Sequence, residues 1–232
     1  MRKKIFGFTL AEVLITLGII GVVAALTIPT LMTNYKKKQY YTQFMKARSA
    51  LENAIKLYED EHGILCDGGA DEWLTDEKVK NLAAYFPGSQ LVTDNNYEDM
   101  LKGYDKINVA LNYDGSGDKY DLESMWNGSG NSNIYGFITN DGMLFMPFED
   151  MYGSDGYVDI NGPNSGPNIY GRDIFVFNLN KWNQIHEFCN SIWGQNSTCV
   201  PHGDMNWGWC YGNNKYGAGC AARLIEEGKM DY

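Results

Sequence analysis

MRKKIFGFTLAEVLITLGIIGVVAALTIPTL, residues 1–31, decides how the rest of the chain must be read. A basic head of Arg2, Lys3 and Lys4 precedes an apolar run from Phe8 to Ile28 whose one charge is Glu12. About twenty apolar residues at ~1.5 Å rise each cover a hydrocarbon core of ~30 Å. The run is expected to cross a membrane once, with its basic head left in the cytoplasm and everything after Leu31 outside. Glu12 stands against this, because a carboxylate inside an apolar span costs roughly 2.5–3.5 kcal/mol on insertion scales. It sits near one end, where snorkelling or protonation relieves part of that cost. The alternative is a positive partner supplied by another molecule.

Gly7-Phe8-Thr9-Leu10-Ala11-Glu12 resembles the prepilin cleavage and methylation motif of type IV pilins and type II secretion pseudopilins. The resemblance implies that prepilin peptidase cuts after Gly7 and methylates the new amino terminus at Phe8. It further implies that Glu12 pairs with the free amino terminus of a neighbouring subunit. Pro29 falls where that family bends its helix, and Gly21 where the helix loosens on assembly. One departure is Phe6, which stands where the family usually has Lys or Arg and predicts slower processing. Other subunits, an inner-membrane assembly platform and membrane lipid are the partners implied. Two plainer readings compete. A cleaved secretory signal would use Val23-Ala24-Ala25 as its small-residue site, but the run is long for one and carries Glu12. A plain single-span anchor accounts for the run and for neither the Gly7-Phe8 junction nor Glu12.

The 232 residues suffice for a span and one outer domain of ordinary size. The formal net charge of −10, more negative once Arg2, Lys3 and Lys4 leave, argues against nucleic acid, whose phosphates demand Lys/Arg clusters. It also argues against adhesion to anionic lipid.

Beyond the span, Tyr40, Phe44, Ala47, Leu51, Ala54, Ile55 and Tyr58 recur at three- and four-residue steps, as one face of a helix does. Gly63 is placed to stop it. One helix from Phe8 to His62 would be about 80 Å long, its outer half held to a domain through that stripe and its inner half in lipid or among copies of itself. Lys36, Lys37 and Lys38 form a basic collar just outside the span, either solvated or paired with acidic neighbours.

After the helix, Trp73, Leu74, Val79, Leu82, Ala83 and Phe86 suggest a short helix capped by Thr75 and stopped by Pro87 and Gly88. Residues 107–113 alternate like a strand. Residues 134–139 and 143–148 around Asn140-Asp141-Gly142 read as a hairpin. Residues 173–179 read as a further strand, and 157–161 as a short one, placed at an edge. The fold expected is α+β, a long N-terminal α-helix, membrane-spanning in its first half, packed on an antiparallel β-sheet. The divisions are a leader at 1–7, a span at 8–30, the outer helix at 31–63 and a globular part at 64–232 with a Cys-rich tail at 186–220.

No nucleophile elbow or Gly-rich phosphate loop is present, and the three histidines, His62, His186 and His202, show no triad spacing, so the chain is not expected to be an enzyme. Cys189 with Cys199 and Cys210 with Cys220 share a ten-residue step and are expected to form disulfides outside the cytoplasm, leaving Cys66 odd. Three pairings of four cysteines are open. The rival is a zinc site of His186, Cys189, Cys199 and His202. Asp155, Asp159, Asn161 and Asp173 bracket an Asn-, Gly- and Pro-rich loop whose oxygens suit Ca²⁺. The resemblance supports it, because several pseudopilins bind calcium in a loop. Asp114, Asp118 and Asp121 are a second candidate. Plain turn chemistry accounts for either loop without a metal. The functional expectation is a filament subunit. The alternative is a filament-tip or surface-anchored binding protein using Trp193, Trp207, Trp209 and Tyr211.

Overall fold

The computed structural model describes residues 7, 9–65, 75–101, 109–110, 114, 116, 119–120, 133–150, 153–178, 210 and 220–232. One helix, α1, runs from Leu10 to His62 without interruption, through Pro29. Thr33 donates its hydroxyl to the Pro29 carbonyl at 2.9 Å, and Gly63, at φ 82°, ends the helix.

α1 is two helices in its surroundings. Leu10, Leu14, Ile15, Leu17, Ile19, Ile20, Val22, Leu26 and Leu31 are all more than half exposed, and none of the most apolar window is buried against the protein. From Phe44 onward the stripe is buried: Phe44, Ala47, Leu51, Ala54, Ile55 and Tyr58 all face the core. This is the periodicity expected from the sequence, and it is the face the sheet covers.

The main sheet is five-stranded and antiparallel, in the order β1-β4-β5-β6-β7, with β1 Gln90–Thr93, β4 Ile134–Ile138, β5 Leu144–Asp150, β6 Gly153–Asp159 and β7 Ile174–Asn178. A separate pair joins β2, Val109–Ala110, to β3, Lys119–Tyr120. Among the described residues three helices follow α1: α2 Asp76–Ala84, capped by the Thr75 hydroxyl, a short α3 Tyr97–Met100, and α4 Cys220–Glu227. The architecture is α+β, as expected.

Side chains alternate through the sheet with period two. Phe137, Phe145, Val158, Phe175 and Phe177 point to the α1 face, where Phe44 meets Phe175 at 4.5 Å between ring centroids. Phe86, after α2, packs on Phe137 and Phe145 at 4.9 and 5.1 Å. Leu144, Met146, Tyr157 and Ile174 point to the other face and pack with Val92, Leu101 and Tyr170. Each fully buried large apolar side chain contributes about 1.5–3 kcal/mol. Gly156 lies opposite Phe177, and a Cβ there would fall 2.2 Å from its ring, so only glycine fits.

Several expectations are corrected. The segment 157–161 is not an edge: β6 is interior, paired to β5 on one side and β7 on the other, and begins at Gly153. The region before residue 107 contributes a strand, β1, which pairs with β4. The tail contributes α4, which buries Ala221 and Leu224 in the same core as α1. Of the strand expected at 107–113, residues 109–110 are paired, and the rest lie outside the described residues, as do Trp73 and Leu74.

Candidate functional site

At the amino terminus the sequence builds a capping box. Thr9 adopts extended backbone, φ −78° and ψ 150°, and its hydroxyl accepts the Glu12 amide at 3.3 Å. The Glu12 carboxylate accepts in return from the Thr9 amide and the Thr9 hydroxyl, both at 2.8 Å. Two orphan donors of the first turn are thereby satisfied. Glu12 thus has a local neutral partner in addition to any positive one, and Thr9-Leu10-Ala11-Glu12 carries the capping-box pattern that supplies it. Phe8 lies outside the described residues. Gly7 is exposed, and a Cβ added there would meet nothing within 4 Å. Any requirement for glycine at that position comes from outside this chain.

The second candidate lies where β6 and β7 end side by side. Asp159 pairs in register with Ile174, which brings Asp159 and Asp173 to the two ends of one loop, both fully buried. The loop folds back on them. Asp159 Oδ1 accepts from the amides of Gly162 at 2.8 Å and Asn161 at 3.1 Å. Asp173 accepts from the amides of Ile169 at 2.7 Å and Asn168 at 2.8 Å. Asn168 holds a left-handed φ of 55°, and Gly162 one of 79°. The Asn161 amide nitrogen donates to the Ser165 carbonyl and approaches the Gly166 carbonyl and the Asp173 carboxylate at 3.4 and 3.5 Å. Asn161 Oδ1 and the Asn168 side-chain oxygen and nitrogen are buried with no hydrogen-bond partner.

Burial pushes the Asp173 carboxyl up, to about 6, against the pull of the Ile169 and Asn168 amides and Asn161. The cause is the cost of an ionised carboxylate away from water. Tyr40 of α1 feels the same place: its phenol is pushed up by its own burial, then by Asp173, with Arg172 opposing and Asp159 adding. The cradle therefore sits against the helix just outside the span. Among the described residues no three His, Cys, Asp or Glu side chains cluster closely enough to hold a metal, so a cation here would need neutral oxygens beside the two carboxylates. Buried, unpartnered amide oxygens on Asn161 and Asn168 are of that kind. Asn168 was not singled out in the sequence, where it is one more polar residue of a turn-rich loop.

Of the other expected sites, Cys210 and Cys220 form a disulfide, with Cα atoms 5.1 Å apart. Both are buried, and the Arg223 guanidinium donates to the Cys210 carbonyl at 2.5 Å. Asp114 accepts from the Ser116 amide at 3.0 Å in an ordinary Asx turn. Cys66, Asp118, Asp121, His186, Cys189, Trp193, Cys199, His202, Trp207, Trp209 and Tyr211 lie outside the described residues. Asp155 lies in β6, its backbone in register with Phe148 of β5 and Asn178 of β7.

With that geometry in hand, comparison with known proteins bears on the first site. Residues 2–28 match the prokaryotic N-terminal methylation motif. The capped Thr9–Glu12 turn and the stretch of α1 from Leu10 to Ile28 fall inside that match. Prepilin peptidase-dependent protein D of Escherichia coli K12 is 37% identical over 67 residues, 28% of this chain and 45% of that protein. Type II secretion system core protein G of Aeromonas hydrophila is 38% identical over 58 residues, 25% of this chain and 40% of the relative. The protein of the same name in Escherichia coli K12 is 44% identical over 57 residues, 24% of this chain and 39% of that one. The chain thus spans less than half the length of the curated relatives it matches. No solved structure matches the chain.

Proposed function

We propose that the chain is a structural subunit of a type II secretion pseudopilus or a type IV pilus-like filament, and that its work is mechanical rather than enzymatic. In this reading prepilin peptidase cuts between Gly7 and Phe8 and methylates Phe8. The apolar half of α1 crosses the cytoplasmic membrane with its amino terminus inside. The assembly platform then draws it into a filament core, which the outer domains coat. The observation that carries the reading is one uninterrupted helix with two environments: an apolar half that none of the described residues covers, and an outer half whose buried stripe is part of the domain core. A helix of that kind has no stable place in water and needs lipid or other copies of itself.

Glu12 gives the test. In the inserted monomer Thr9 satisfies its carboxylate at 2.8 Å without a second charge. In a filament a neighbour's Phe8 amine would replace that neutral partner with a charged one, which is the stronger interaction in an apolar medium. Glu12→Ala should insert, be cleaved and fold its outer domain, yet lose at least about tenfold in the fraction of processed subunit recovered in sheared filaments, a change of about 1.4 kcal/mol. Recovery equal to wild type would remove Glu12 from the assembly contact.

The buried cradle supports a second element. We propose that Asp159 and Asp173, with Asn161 and Asn168, hold Ca²⁺. Two carboxylates at the ends of one loop, beside amide oxygens that lack partners, supply hard oxygen ligands of the type that ion takes. The cation would lock the β6–β7 loop beneath α1.

A further inference from the structure

Charge along α1 is segregated in a way that neither site uses. The chain carries a net charge of −10, yet Lys36, Lys37 and Lys38 follow one another immediately outside the span. The fold brings further cations to them. The C-terminus lies against α1 there, since a Cβ added at Gly228 would fall 3.8 Å from the Tyr41 hydroxyl. The Asp231 carboxylate pairs with the Lys229 ammonium and is held below its usual range by Lys229 first, with Lys37 and Arg223 adding. Arg172 lies close enough to Tyr40 to oppose the rise of its phenol, and the Tyr232 hydroxyl donates to the neighbouring Gly171 carbonyl at 2.8 Å. The pole of the outer domain nearest the span therefore collects Lys36, Lys37, Lys38, Arg172 and Lys229. Among the described residues of α4 and the C-terminus, Asp231 and Glu226 are the exposed acids. Glu227 is taken up by Arg223 at 3.0 Å, and Asp159 and Asp173 are buried beneath. At the other end of α1 the exposed charges Glu59, Asp60 and Glu61 are acidic.

Two observations argue that this pole has a ligand. The collar has as many cations as Arg2, Lys3 and Lys4 on the other flank, so it opposes the charge bias that would orient the span and insertion does not account for it. Its depth is also informative. From residue 30, where the span ends, Lys36 to Lys38 lie about 9–12 Å along the helix, at the outer edge of a headgroup layer of about 5–8 Å, into which long lysine side chains reach back. Tyr35, 69% exposed, sits at the same level, where tyrosine commonly marks a bilayer interface.

We propose that this pole docks on anionic phospholipid headgroups, whose phosphate oxygens accept from the ammonium and guanidinium donors, and so holds the outer domain against the membrane while the subunit waits there. The acidic remainder of the domain is repelled by the same surface, which fixes which end faces it. The inference rests on the inserted topology, and the experiment separates the two. The full chain is placed in nanodiscs of phosphatidylcholine alone, or with about one third phosphatidylglycerol, and the rate of lysine acetylation is read by mass spectrometry. Lys36, Lys38 and Lys229 should react several-fold more slowly in the anionic discs, and about 0.5 M salt should abolish the difference. The exposed Lys56 and Lys80 should react alike in both. Equal rates at the pole in the two discs overturn the proposal. Protection that follows the number of chains per disc rather than lipid charge also overturns it and assigns the pole to a second copy. Failure of the chain to co-elute with either disc overturns the inserted topology and this surface with it.

Discussion

Phe44 opens the buried stripe through which the outer half of α1 is held to the domain, and its truncation measures part of that hold. The side chain is fully buried, with its ring 4.5 Å from that of Phe175, and belongs to the core that also contains Ala47, Leu51 and Phe177. Phe44→Ala removes the buried ring and leaves a cavity between two regular elements that cannot collapse independently. The cost for such a site is about 3–5 kcal/mol. At roughly 2–4 °C per kcal/mol for a domain of this size, the melting temperature should fall by about 6–20 °C. The assay is near-ultraviolet circular dichroism of the full chain in detergent. Far-ultraviolet signal would be dominated by the apolar half of α1, which micelles hold helical after the domain has melted. Phe44→Leu should fall by much less, since it keeps most of the apolar volume. Leu14→Ala, at a position 60% exposed in the span, should leave the transition where it is. A fall of under about 2 °C for Phe44→Ala would refute the claim that this face couples helix and sheet.

Calcium at millimolar concentration should raise the melting temperature by ligand linkage, and Asp159→Ala should remove the gain; no shift in the wild-type chain would return the loop to turn chemistry. With chelator present, the Asp173 carboxyl, raised to about 6 by burial, holds a proton in the folded state at pH values where the unfolded chain has lost it. Its contribution is therefore fully present below about pH 4 and lost as pH rises through about 6, so the chelated protein should melt higher at about pH 5 than at about pH 7. Calcium, which favours the ionised form, should flatten that dependence, and a chelated protein more stable at pH 7 would contradict it. Cys210 and Cys220 should resist thiol labelling of native protein without reductant, and Cys210→Ser should destabilise by about 2–3 kcal/mol. Labelling of both at the rate of free thiols would count against the bond.

Much of this fold could be read from local pattern. The stripe from Phe44 to Tyr58 follows the helical period, Gly63 stops it, and Asn140-Asp141-Gly142 makes the turn between β4 and β5. What escaped depends on partners distant in the chain. Gln90–Thr93 is too short and polar to announce a strand and becomes one by pairing with β4. The first half of β6, Gly153 to Gly156, has no apolar alternation and is held by β5 and β7 on its two sides. α4 carries Ala221, Ala222, Leu224 and Ile225 as apolar signal, at the end of a tail read for its cysteines. At the candidate sites, Asp159 and Asp173 were visible as residue types, but their union depends on the β6–β7 register. The Thr9 partner of Glu12 is legible from spacing alone, as a threonine three residues before a glutamate at a helix start.

The account stands most directly on the chemistry of the first residue of the native protein. Intact-mass and amino-terminal fragment analysis of protein extracted from its own membrane should find a chain beginning at Phe8 with a methylated amine, and Gly7→Val should leave uncut precursor. A native chain that still begins at Met1, or one cut after Ala25 as a secretory signal would be, would contradict it.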